Sequence, residues 1–195
     1  MDFLAHAAYG ATLCSRSGLA GGRRGAPGDS FARDWTVWAA AGFSLLPDAA
    51  SLGVAFAQML VRGQALSFHR LPPYVFILYR YTHSLIVAAL CVLVWRAAVR
   101  PLVLPALAWP FHILADSVLH DDGRWQTPMF FPLSDWHIQG INWWQHPKAV
   151  LIYWGILPAL WLGLFLWRRR AQSLGPERGP QARRPARPRR PRASA

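Results

Sequence analysis

The stretch Phe111–His120, FHILADSVLH, places His112, Asp116 and His120 at every fourth residue. On an α-helix that spacing turns only ~40° per step, so the three side chains stack along one face. Neighbours so spaced have Cβ atoms ~5–6 Å apart, close enough to share one divalent ion or two adjacent ones. Imidazole and carboxylate suit Zn²⁺, and also Mn²⁺ or Fe²⁺. The stretch lies in an apolar run from Pro101 through Leu119, where an ionisable group is costly and by default suggests a site. The same spacing also fits a His–Asp hydrogen-bonded pair that fixes helix packing, with His120 wet at the helix end.

Composition places these residues in a membrane. Of the residues, 53% are hydrophobic and 11 are Trp, while Glu177 is the lone glutamate. The N-terminus, MDFLAHAAYGATLC, lacks the positive n-region of a secretory signal and carries His6 in its apolar run. Cys14 and Cys91 sit far apart in apolar segments and read as small buried hydrophobes, not a disulfide framework.

The net charge of +12 is unevenly spread, with half of the arginines at or beyond Arg168. The Arg/Pro-rich end has almost no large apolar residue after Leu174, so it cannot bury enough surface to fold. This divides the chain into a membrane-embedded helical domain, residues 1–170, and a disordered basic tail, 171–195. The tail suits anionic lipid headgroups, although a solvated flank that fixes topology explains it as well. A nucleic-acid partner is not expected.

The fold class expected is all-α: a polytopic membrane bundle of four to five short helices. The clearest span is Ala149–Trp167, uncharged, about as long as a bilayer core requires, and interrupted by Pro158. Arg168–Arg170 follow at once and assign a cytoplasmic C-terminus. Weaker spans are Ser84–Val99, Leu102–Leu119, Trp35–Leu46 (ending at Pro47-Asp48) and Phe3–Cys14. Ala49–Val61 reads as amphipathic and interfacial, and Gly63–Pro73 as loop. If five segments alternate in a cell membrane, His6, Asp48, His83 and His120 all fall at outer ends. His112 and Asp116 then lie in the outer half of the fourth segment. The candidate site is expected near the outer face, beside the bilayer, its natural partner.

In order along the chain, His6, Leu45–Asp48 (LLPD), Thr82–Ser84 (THS), His112/Asp116 (HxxxD) and Thr127–Trp136 (TPMFFPLSDW) resemble the YdjM-like family of membrane-bound metal-dependent hydrolases. The likeness covers most of residues 1–146. It implies an all-α membrane protein with a metal site, distantly similar to zinc-dependent phospholipase C, whose relatives hydrolyse phosphoesters. The chain departs from the family where Ala49-Ala50 follow Asp48 and where Asp121-Asp122 follow His120, which leaves the number of ions open.

The ligand set so implied is His6, Asp48, His83, His112 and Asp116; the every-fourth-residue spacing adds His120, and Asp48 and Asp116 are the catalytic candidates. His6 could instead be a snorkelling residue, and Asp48 could cap a helix over Ala49–Val61. Thr82 and Ser84 suit capping or support of a ligand. Arg80 could meet a phosphate, and Asp135 and His137 could bind substrate. A bound ion would lower the pKa of its water towards ~7 for attack on an ester. The function expected is metal-dependent hydrolysis of a phosphoester or lipid-linked substrate. The alternatives are a non-enzymatic membrane protein with a structural metal site or an ion or proton path, and a tether whose tail recruits a partner.

Overall fold

The computed structural model describes residues 1–24, 31–121 and 123–173. The basic tail beyond Ser173 and Asp122 of the acidic pair lie outside the described residues. Within them the chain is all-helical, with no strand: α1 Phe3–Cys14, α2 Trp35–Val61, α3 Pro73–Thr82, α4 Leu85–Ala98, α5 Val103–Ala106, α6 Ala108–Leu119 and α7 Pro147–Ser173.

Three stretches are long and apolar enough to cross a membrane: α2, Arg100–Leu119 and Pro147–Ala171. The α3–α4 pair forms a fourth if its two helices, bent by 60°, count as one span. Their outward faces carry large apolar side chains, among them Trp38 on α2, Leu93 on α4 and Leu151 on α7. A helix that is apolar on its exposed face as well as its buried one is stable in lipid, not in water. The chain has the make-up of a membrane protein.

Two sequence readings of α2 need correction. Pro47 does not end a helix: Trp35–Val61 is continuous, and Asp48 is its midpoint. Proline removes the N–H that would bond to the carbonyl of Phe43, but packed neighbours let a membrane helix tolerate that loss. Ala49–Val61 is therefore not a separate interfacial helix, and Asp48 caps nothing. Asp34 caps α2 instead, with Oδ1 accepting from the Thr36 amide at 2.9 Å. The loop expected over Gly63–Pro73 holds a single 3₁₀ turn, Phe68–Arg70.

The short α1 packs on α2, α6 and α7. Asp2 starts it by accepting from the Ala5 amide at 2.8 Å. Gly10 permits the close approach to α2: a Cβ there would stand 2.6 Å from Ser44 Cβ and 2.8 Å from the Ala40 carbonyl oxygen. Polar groups facing α7 are satisfied within the protein. Tyr9 donates to the Tyr153 carbonyl at 2.6 Å, and the Trp161 indole donates to Thr12 Oγ1 at 3.0 Å. At the far end of α7, the Arg168 guanidinium donates to the carbonyls of Ser17, Gly18 and Gly22. This arginine thus ties α7 to the α1–α2 connection as well as flanking a span.

Candidate metal centre

Asp48, His83, His112 and Asp116 come from three elements and meet in one buried cluster. Asp48 projects from the middle of α2, and His112 and Asp116 from one face of α6. His83 stands at the α3–α4 bend, fixed from both sides. The Trp109 indole donates to the Thr82 carbonyl at 2.8 Å. Ser84 Oγ accepts from the Ile86 and Val87 amides in the first turn of α4 and donates to the Phe131 carbonyl at 2.6 Å. The Thr-His-Ser sequence therefore builds a bend that aims its histidine inward.

The donor atoms are spaced for an ion. His83 Nε2 lies 3.0 Å from His112 Nε2, 3.5 Å from Asp48 Oδ1 and 3.6 Å from Asp116 Oδ2. His112 Nε2 lies 3.2 Å from Asp116 Oδ2 and 3.9 Å from Asp48 Oδ2. Ligands bound at ~2.0–2.2 Å around a tetrahedral ion stand ~3.3–3.6 Å apart. Four such donors, all within 4.8 Å of one another, can hold a metal ion.

The chemistry of the donors agrees. His83 Nδ1 is 3.1 Å from the Tyr79 carbonyl, which can only accept, and 3.1 Å from Thr82 Oγ1, so this nitrogen is placed to donate a proton to the carbonyl. With the proton on Nδ1 and the ring neutral, Nε2 presents a lone pair to the cluster, the tautomer that metal ligation needs. Tyr79 also stacks on His83, with ring centroids 3.7 Å apart. His112 Nδ1 is buried without a hydrogen-bond partner among the described residues, so the polar contacts of this ring are made by its Nε2. Packing two imidazoles and two carboxylates together, all nearly excluded from water, is costly without a compensating cation.

His6 and His120 adjoin the cluster without belonging to its four-residue core. His6 Nε2 is 2.9 Å from Asp116 Oδ1, the oxygen turned away from His83 and His112, and its ring stacks on His112 at 3.7 Å. The Met1 amine meets the same oxygen at 2.6 Å. Asp116 is thereby held at both oxygens. His120 has left α6 and takes extended backbone at the C-cap, so the second step of the every-fourth-residue stack is not fully helical. Its Nδ1 lies 3.8 Å from Asp116 Oδ2 but 3.0 Å from the Tyr79 hydroxyl. Burial pushes its pKa down to about 4, so the ring is neutral.

The three residues expected to meet substrate lie elsewhere. Arg80 pairs with Asp135 and covers the Phe131 ring at 4.4 Å. His137 Nδ1 is 3.0 Å from the Asp135 carbonyl oxygen. None of the three lines the cavity beside the cluster. That cavity measures about 780 Å³, and Asp48, Asp116, His120 and Tyr79 form part of its wall. Tyr79 was not among the expected site residues. Its sequence signal is its position four before His83, which puts the two on one face of α3.

No family model matches this chain. No curated protein and no solved structure matches it either.

Proposed function

We propose that this protein is a membrane-bound metal-dependent hydrolase acting on an ester, preferentially a phosphoester. One observation carries the reading: the carboxylates of the four-residue cluster also line a cavity large enough for a ligand. A purely structural ion would be served equally well by a closed site.

Zinc is the ion proposed, because two neutral imidazoles and two carboxylates form a compact set at tetrahedral spacing; Mn²⁺ or Fe²⁺ would accept the same donors. When bound, such an ion supplies Lewis acidity and a water acidified towards ~7. Asp48 is suited to accept a proton, since it borders the cavity and its second oxygen remains available while one ligates. Asp116 is suited to bridging, with one oxygen on the cluster side and the other on the His6 side. His83, kept as a lone-pair donor by the Tyr79 carbonyl, orients the site. The likeness of His6, Asp48, His83 and the HxxxD pair to the YdjM-like hydrolases supports the same reaction class.

The proposed setting is a cell membrane, the inner membrane of a two-membrane cell, with the C-terminus cytoplasmic and the site reached from the outer side. The arginines after Trp167 support this orientation. Asp48 no longer supports it, because it sits at the centre of a span and not at a helix end.

The test is hydrolysis of phosphoester and carboxylic ester lipids by purified protein, with and without Zn²⁺ or Mn²⁺, beside Asp116→Asn. The reading expects metal content and turnover to fall together in the variant. Tight metal binding with no turnover of any substrate would leave a structural metal site instead.

A further inference from the structure

The cavity wall holds a second set of groups that the hydrolase reading does not use. Opposed in character to the polar cluster are the rings of Phe68, Phe76, Trp125, Trp143 and Trp144. With them is Arg124, whose guanidinium carbon is 5.8 Å from the Phe76 ring centroid. Arg124 makes no ion pair among the described residues, whereas the charge of Arg80 is met by Asp135. Asp2 also borders the cavity, but its oxygens accept from the Ala5 amide, the Tyr153 hydroxyl and the Trp154 indole, so they are turned to α1 and α7. A guanidinium that no described carboxylate pairs, beside an aromatic surface, fits an anion that carries an apolar chain. Aromatic walls with a few placed polar groups are how proteins hold such ligands.

We infer that this cavity is the binding site for a lipid phosphoester, with its chain against the aromatic wall and a phosphate oxygen on Arg124. This deepens the hydrolase reading and rests on it for one point: the phosphate lies beside Asp48 and Asp116 because that is where it is cleaved. Arg124 is then a specificity-determining residue, in the role the sequence suggested for Arg80. A lipid dissolved in the bilayer reaches such a cavity without passing through bulk water.

The experiment separates binding from turnover. Octylphosphonate, which cannot be hydrolysed at its P–C bond, is titrated by calorimetry into the full chain in lipid nanodiscs, with empty nanodiscs subtracted. Methylphosphonate and octanol are titrated in parallel, and metal content is measured on every sample. Saturable octylphosphonate binding is expected, weakened about tenfold or more in Arg124→Gln and largely retained in Arg124→Lys. Methylphosphonate and octanol are each expected to bind at least about tenfold more weakly. Equal affinity for methylphosphonate would assign the site to free phosphate, and equal affinity for octanol would assign it to an apolar ligand. Either result, an unchanged Kd in Arg124→Gln, or no saturable binding would overturn the inference. Arg124-dependent binding without turnover of any of the phosphoester or carboxylic ester lipids would uphold the site and reject the hydrolase.

Discussion

His83 Nε2 lies 3.0 Å from His112 Nε2, and both rings are completely buried. With the His83 proton on the other nitrogen, facing the Tyr79 carbonyl, at least one of the two facing atoms is a bare lone pair. Asp48 and Asp116 add negative charge to the same small volume. An ion there binds the folded state and not the unfolded one, so it stabilises by mass action. At a free concentration of 100 Kd the gain is about 2.7 kcal/mol. Stripping the protein with a chelator should lower its thermal midpoint in detergent by about 5–10 °C, and adding back the ion should restore it. A midpoint indifferent to chelator and metal would count against the site.

Tyr79→Phe separates two roles of one residue. The hydroxyl lies 3.0 Å from His120 Nδ1 and donates to the Trp125 carbonyl at 3.2 Å. The stack on His83 and the carbonyl that fixes the His83 tautomer do not need that hydroxyl. The variant should lose about 1 kcal/mol of stability while keeping its metal. Loss of metal with the fold intact would mean that the hydroxyl, through His120, holds the ion.

The parts of the site that were legible in the sequence are those set by helical spacing. His112 and Asp116 are four apart and do share a buried face of α6. Asp48 was legible by type but not by place. Proline usually ends a helix in water, so Pro47 suggested a boundary, whereas α2 runs straight through it under the cover of α1, α3 and α6. That Arg124 and not Arg80 borders the cavity depended on tertiary structure alone. Arg80 sits on α3 beside His83 in sequence, yet Asp135 draws it to the surface, while Arg124 reaches the cavity from a loop that no periodicity marks. His120 shows the limit of a spacing rule, because α6 ends one residue before it.

Asp34 gives a pH dependence away from the metal. Burial opposes its ionisation, but hydrogen bonds from Thr36 and Ser17 outweigh that and hold its carboxyl below the usual range. A carboxyl depressed in the folded state contributes its stability above the unfolded pKa, about 4, and loses it as pH falls through the folded value. The thermal midpoint should therefore decline below pH ~4, and Asp34→Asn should decline less steeply over that window. An acid slope identical in both proteins would remove Asp34 from the account.

Sidedness is tested at Gln139, an exposed position in the connection before α7. With Cys14 and Cys91 replaced by alanine, Gln139→Cys should react with an impermeant maleimide added to intact cells. Labelling only after the cytoplasmic side is opened would invert the orientation.

The most direct measurement is metal content per chain in wild type, His83→Ala and His112→Ala, purified in parallel without added metal. Circular dichroism would establish that each remains helical. Wild type should carry at least one tightly held divalent ion, and each folded variant should carry well under half of that. A wild-type protein that is metal-free and takes up none on titration, or variants that hold the full complement, would contradict the central claim.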